Sequence, residues 1–126
     1  MMQSAAGVAA APEPAQVLTK AVLSAAKRLG IRNRELGEIV GSSEASISRL
    51  GSHRKLDPAS KEGELALLFL RLFRSLDALV GGDEGKARLW LGAHNDHLDA
   101  IPRECLRTVE GLVHVVQYLD AMRGRF

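Results

Sequence analysis

The sequence predicts an all-α protein, and three observations favour that class. Hydrophobic residues make up 46% of the 126 residues, which is enough for a buried core, while aromatic residues amount to only 4%. Alanine and leucine, which are strong helix formers, are plentiful instead. Apolar residues also recur at helical spacing along most of the chain. A chain of this length holds one domain or two small ones.

The first predicted helix runs from about Ala15 to Leu29, because apolar residues recur there every three or four positions and Gly30 suits a left-handed cap. Residues 1–15 form an Ala- and Pro-rich stretch that lacks the basic start and long apolar core of a signal peptide. We expect this stretch to be a disordered tail. The most apolar run farther on is interrupted by Arg71, so no membrane span is predicted and a cytoplasmic location is expected.

Two short predicted helices follow, separated by a Gly-Ser-Ser break. Asn33 is the expected cap of the first, which ends at Val40, and Ser42 or Ser43 is the expected cap of the second. Gly37 stands where alanine is usual in this pattern, and we expect it to allow close approach of another helix. The predicted interior positions are Leu36, Val40, Ile47 and Leu50. Such a pattern is typical of a helix-turn-helix, in which a third helix completes the core.

This pattern lies in the basic half of the chain. Residues 16–61 carry nine Lys and Arg against four Asp and Glu, whereas residues 62–126 carry eight against ten. The second short helix has small and polar residues on its outer face, as a helix that enters the major groove requires. The predicted DNA-binding residues are Ser43, Glu44, Ser46, Arg49, His53, Arg54 and Lys55. Basic residues at Lys27, Arg28, Arg32 and Arg34 add to the positive field.

The rest of the chain is predicted to form three further helices. Asp57-Pro58 is the expected start of a long helix to about Val80, and Asp83 can cap the next one, in which Trp90 should be buried. Pro102 is the expected first residue of a last helix that ends near Met122. The residues predicted to be buried in that helix are Leu106, Val109, Leu112, Val113, Val116 and Leu119.

No enzyme and no cofactor are predicted. The single Cys105 excludes an internal disulfide, and no Ser or Cys has an evident base partner. The loop "HNDHLD" offers His94, Asp96, His97 and Asp99 as an alternative metal site for Zn²⁺ or Mn²⁺. Polar runs between helices are usually plain loops, however, so no metal is expected.

The chain resembles the Xre-type antitoxins of RES–Xre toxin–antitoxin modules, the group that includes MbcA and ParS. The resemblance spans about residues 16–126 and combines an Xre-like helix-turn-helix with a more specific second half. The positions that carry it are Trp90-Leu91, Asn95, Pro102, Gly111 and Leu119. It implies residues 16–60 as a DNA-binding domain and residues 61–126 as a small helical toxin-binding and dimerisation domain.

The resemblance also implies a two-part function without catalysis. The partners would be a RES-domain toxin that degrades NAD⁺, and operator DNA bound by a homodimer that represses its own operon. The C-terminal residues 118–126 are expected to obstruct the toxin's active site. The expected contacts are Tyr118, Met122, Arg123, Arg125 and Phe126. The alternative is a stand-alone helix-turn-helix regulator whose second half only dimerises or senses a ligand.

Overall fold

The computed structural model describes residues 13–124, and these residues form seven helices. In chain order they are α1 (Pro14–Leu29), α2 (Asn33–Val40), α3 (Glu44–Ser48), α4 (Lys61–Leu79), α5 (Glu84–Gly92), α6 (Pro102–Cys105) and α7 (Val109–Arg123). The predicted all-α class is therefore confirmed. None of these helices is long and apolar enough to cross a membrane.

Helix α4 is the centre of the fold. It packs most extensively on α7, and also on α1 and α2. Its core residues Phe69, Leu72 and Leu76 are fully buried, and they belong to one apolar cluster that runs from α1 to α7. The predicted domains, 16–60 and 61–126, therefore share one hydrophobic core, and the boundary between them stays a prediction.

The helix-turn-helix has the predicted internal structure. Its four predicted interior positions, Leu36, Val40, Ile47 and Leu50, are all buried. Gly41 ends α2 in the left-handed conformation, with φ of 78°, which a glycine adopts without steric cost. Of the two candidate caps of the next helix, Ser42 and Ser43, the cap is Ser43. Its hydroxyl accepts a hydrogen bond from the Ser46 N–H.

Two predicted helix starts are wrong. Asn33 is the first residue of α2, and Arg32 is the capping position, where its N–H donates to the Glu35 carboxylate at 3.2 Å. Asp57-Pro58 lies in a turn before α4, and the hydroxyl of Ser60 caps that helix through the N–H of Gly63 at 2.9 Å. Asp57 belongs to the turn before the helix, since its carbonyl accepts hydrogen bonds from the Ser60 N–H and hydroxyl. The helix therefore starts after Ser60.

The predicted last helix is two helices. Thr108 ends the turn after α6 and caps α7, with its hydroxyl accepting from the N–H of Gly111 at 3.0 Å. Val109, predicted to be buried, is the first residue of α7 and is 57% exposed, and Val113, also predicted to be buried, is only half-buried. The buried face of α7 consists of Leu112, Val115, Val116 and Leu119.

Trp90 was also predicted to be buried, and it is only half-buried. Its neighbour Leu91 takes the fully buried position on α5. Trp90 stacks instead against Tyr118 of α7, with ring centroids 6.3 Å apart and ring planes 15° from parallel. The tryptophan therefore connects α5 to the outer side of α7.

Candidate DNA-binding and toxin-binding surfaces

The exposed face of α3 and the loop after it carry the predicted DNA-binding residues. Ser43, Glu44 and Arg49 are exposed, and Ser46 is partly buried. His53 is also exposed and lies in the loop that follows. A helix with one buried residue, Ile47, and small polar side chains on its other sides suits entry into a major groove.

Arg54 differs from the other residues of this predicted set, because its side chain turns towards α4. The guanidinium forms two hydrogen bonds with the Glu62 carboxylate, of 2.9 and 2.6 Å, and its Nε donates to the Ser46 carbonyl at 2.9 Å. The bonds from Arg54 lower the pKa of Glu62 in spite of its burial, and the Ser42 hydroxyl adds to this effect. The same pair raises the pKa of Arg54. A DNA contact by Arg54 stays a prediction.

Several of the surrounding cations are paired within the chain. Lys55 lies 2.7 Å from the Glu13 carboxylate, and both side chains are about half exposed. Arg28 bridges Asp77 and Glu84 at 3.4 and 3.1 Å. Within residues 13–124, the structure gives no ion pair to the exposed Arg32, Arg34 and Arg49. The positive charge of these three arginines is therefore available to a DNA phosphate.

A second surface lies on the outer side of α7. A groove of about 500 Å³ is lined by His97, His114, Gln117, Tyr118, Ala121 and Met122. Five of these residues follow the helical spacing i, i+3, i+4, i+7 and i+8, which places them on one stripe of α7. The stripe lies opposite the buried face, so its side chains are available to a partner.

The predicted toxin-binding residues are divided by the structure. Tyr118 and Met122 lie on the groove, and the Tyr118 ring also stacks on His97 with centroids 4.7 Å apart. Arg123 lies off this stripe, with its guanidinium 3.5 Å from the Ser75 hydroxyl on α4. Arg125 and Phe126 lie outside the described residues.

The loop that offered an alternative metal site is closed by its own hydrogen bonds. Asn95 pairs with Ala100 through the backbone, and its side-chain oxygen accepts from the Leu98 N–H at 3.0 Å. His94 lies 3.3 Å from Asp96 and 3.6 Å from Asp99, while His97 faces Tyr118. Among the residues that the structure describes, no group of three or more His, Cys, Asp or Glu is arranged to hold a metal ion.

Sequence reasoning missed some residues at both surfaces. His114, Gln117 and Ala121 share a helical spacing with Tyr118, a signal that the sequence contains, whereas the prediction named only Tyr118 and Met122 of this stripe. Glu62 as the partner of Arg54 had no sequence signal, because the two residues lie on opposite sides of a loop and a turn.

The fold combines a helix-turn-helix with further helices that carry an exposed groove. The protein is therefore of the helix-turn-helix class with an additional helical region. Comparison with protein families agrees with this division. The antitoxin Xre-like helix-turn-helix domain matches residues 8–71, and the antitoxin Xre/MbcA/ParS C-terminal toxin-binding domain matches residues 75–125. The chain belongs to the Xre-type antitoxin family, whose domains bind and regulate and are not enzymes. A search of curated proteins finds no match.

Proposed function

We propose that this antitoxin neutralises a RES-domain toxin that degrades NAD⁺, and that as a homodimer it represses its own operon. The two family matches support a toxin partner and a DNA partner. The exposed polar face of α3 supports the DNA-binding part, together with the exposed arginines that have no ion pair within residues 13–124. A dimer is expected because one short recognition helix has too small a contact surface for tight binding.

The observation that carries the toxin-binding part is the outward stripe of α7. It lies within the matched toxin-binding domain and presents an aromatic ring, a thioether and two imidazoles around one groove. Aromatic and methionine side chains are enriched at protein interfaces, so the groove suits an apolar segment of a partner. We propose that Tyr118 and Met122 anchor the toxin there.

We further propose that the chain beyond this stripe obstructs NAD⁺ entry, with Arg123, Arg125 and Phe126 as contacts. Arginines can bind carboxylates or phosphates in bidentate fashion, and a phenylalanine can fill an apolar pocket. The groove would then supply most of the affinity, whereas the chain end would supply the inhibition.

A truncation after Met122 separates these two roles. The protein encoded next to the antitoxin serves as the candidate toxin, and both complex formation and NAD⁺ consumption are measured. We expect the truncated chain to bind while NAD⁺ consumption resumes. If the truncated chain still inhibits fully, the chain end is not the obstruction, and the body of the domain must block or distort the toxin.

The same partner experiment tests the family-based function as a whole. If the neighbouring protein neither binds the full chain nor consumes NAD⁺, a stand-alone regulator becomes the better proposal. For the DNA part, a two-fold symmetric operator in the chain's own promoter is expected to bind more tightly than random DNA at the same salt concentration. Equal binding to both would contradict autorepression.

A further inference from the structure

The strongest polar network near the proposed DNA surface joins Arg54, Glu62 and the turn of the helix-turn-helix. Both oxygens of the Glu62 carboxylate accept from the Arg54 guanidinium, at 2.9 and 2.6 Å. The Ser42 hydroxyl, just before α3, donates to the same carboxylate. The Arg54 Nε donates to the Ser46 carbonyl, in the middle of α3, at 2.9 Å. Glu62 is therefore connected to the turn before α3 through Ser42, and to the middle of α3 through Arg54.

The geometry of this network leaves the guanidinium turned away from solvent. The Arg54 and Glu62 side chains are only 24% and 20% exposed, in contrast to the neighbouring basic pair, in which Lys55 is 49% exposed. If Arg54 turned outward to a phosphate, it would leave a half-buried carboxylate and a helix carbonyl without their donor. Loss of one partner of such a pair is costly, because the remaining charge stays desolvated.

Helix α3, the proposed recognition helix, depends on contacts with the rest of the protein to hold its orientation. It has only five residues, Glu44–Ser48, and helices of this length are not stable by themselves. It is held by packing against α2, by the buried side chain of Ile47 and by the bond from Arg54 to the Ser46 carbonyl. Among these contacts, the bond from Arg54 connects the middle of α3 to Glu62 on the long helix α4.

We propose that Arg54 is a positioning residue, which holds the recognition helix at the angle that base readout needs, and not a phosphate ligand. Phosphate contacts set affinity for any DNA, whereas contacts with base edges give selectivity. A residue that orients α3 therefore contributes to selectivity for one DNA sequence over another. This inference rests on the proposed DNA binding.

Two substitutions distinguish a positioning residue from a phosphate ligand. Arg54→Lys keeps the positive charge but removes the planar fork and the Nε donor, so a phosphate ligand would tolerate it while a positioning residue would not. Glu62→Gln has opposite consequences in the two cases. It would free Arg54 and remove an anion, which strengthens binding if Arg54 contacts phosphate, but it weakens the bond network that orients α3.

The probes are a duplex that the wild-type protein selects from a random pool and a scrambled duplex of the same composition. For both variants we expect the preference for the selected duplex to fall by roughly tenfold, the size of one charge-assisted hydrogen bond. The slope of log affinity against log salt on the scrambled duplex is expected to stay unchanged, whereas loss of a phosphate contact lowers it by about 0.9.

Glu64→Gln is the matched control, because it removes an exposed carboxylate two residues further along α4 whose ion pair, within residues 13–124, is with Lys61. It is expected to change binding to both duplexes equally. An Arg54→Lys variant with wild-type selectivity, or a Glu62→Gln variant that binds both duplexes more tightly than Glu64→Gln does, would overturn the positioning role.

A spectroscopic measurement covers the case in which a variant does not fold. In the wild-type protein, the ¹⁵N-labelled Arg54 Nε–H is expected to exchange slowly and to keep its chemical shift when the selected duplex is added. A shift as large as those of the Arg49 signals would identify a DNA contact and reject the proposal. A wild-type protein that selects no duplex would overturn DNA binding itself, which is distinct from failure of the positioning role alone.

Discussion

At the scale of single residues, Gly37 shows how tightly the helix-turn-helix is closed. A Cβ at this position would overlap the Ser42 carbonyl, which belongs to the turn between α2 and α3. The Gly37 carbonyl itself accepts from the Ser42 N–H at 2.8 Å. The prediction that Gly37 allows another helix to approach is therefore replaced by a more local role, since its close neighbour is the turn itself.

Gly37→Ala is expected to lower the free energy of unfolding by ~1–3 kcal/mol, as is usual when a close-packed site gains a methyl group. Gly92→Ala is the matched control, because Gly92 is also helical and nothing lies within 4 Å of its added Cβ. The control should be neutral or slightly stabilising, since alanine favours helices. Urea unfolding of both variants measures the difference, and equal stability would contradict the overlap.

Arg49 is the residue for which a direct DNA contact is most strongly expected. It is exposed at the end of α3, and its guanidinium has no ion pair within residues 13–124. Arg49→Ala is expected to weaken binding to a selected duplex by roughly tenfold or more, the size of one base or phosphate contact. Titrations at fixed salt measure this loss. Lys86→Ala, which removes an exposed cation on α5, should bind as the wild type does.

At the scale of elements, the two most extensively packed helices begin in the same way. The sequences Ser60-Lys-Glu-Gly63 and Thr108-Val-Glu-Gly111 each place a hydroxyl that caps the helix through the glycine N–H. A Cβ on either glycine would overlap a carbonyl six residues earlier, that of Asp57 or of Cys105. Gly111 was predicted to allow close packing of another helix. The close neighbour is instead the Cys105 carbonyl, in the turn just before α7.

Thr108→Ala is expected to destabilise the protein by about 1 kcal/mol, which is typical for loss of a helix cap. Thr108→Ser keeps the hydroxyl and serves as the control, so it should retain most of the wild-type stability. Thermal unfolding followed by circular dichroism measures both variants. Equal loss in the two would mean that the threonine methyl group, and not the cap, accounts for the effect.

At the scale of the whole molecule, three arginines of the second half hold the first half in place. Arg88 of α5 donates to the carbonyls of Lys27 and Arg28 at the end of α1. Arg103 binds the Gly30 carbonyl at 2.6 Å and both oxygens of Glu35 at 2.8 Å. Arg107 adds a longer contact to Glu38, at 3.2 Å. These bonds fix α5 and α6 against the corner between α1 and α2.

The contact between Arg103 and Glu35 makes the stability of the protein depend on pH. The hydrogen bonds from Arg103 lower the pKa of Glu35 against the opposing effect of burial. A carboxylate with a lowered folded pKa contributes stability above its unfolded value, and the contribution is lost as the pH falls through the folded value. The ordinary pKa of the group is 4.5, so the effect is complete at neutral pH.

Arg103→Gln is expected to cost roughly 1–3 kcal/mol at neutral pH, as a lost charge-assisted hydrogen bond does. Its deficit relative to the wild type should shrink as the pH is lowered below the ordinary value of Glu35. Urea unfolding across this pH range measures both. Arg107→Gln, which removes the more exposed and longer contact, should cost much less and change the pH dependence little. A deficit of Arg103→Gln that is constant with pH would contradict the role of Glu35.

The sequence by itself determined the helical class, the helix-turn-helix with its four interior residues, and the family of the second half. These features depend on local periodicity, on glycines that require a left-handed φ such as Gly30 and Gly41, and on residue types at short spacing. Such signals are contained in a few consecutive turns of chain and need no knowledge of the distant packing.

Only the tertiary structure decided which polar side chains form hydrogen bonds and ion pairs within the protein and which face outward. Arg54 and Arg49 look alike in the sequence, but one is held by Glu62 and the other is exposed. Similarly, the burial of Leu112, Val115 and Leu119 in the core leaves Tyr118 and Met122 on the outer groove of α7. Hydrogen bonds and ion pairs between distant segments leave no periodic pattern, because they depend on where the packed core brings those segments together.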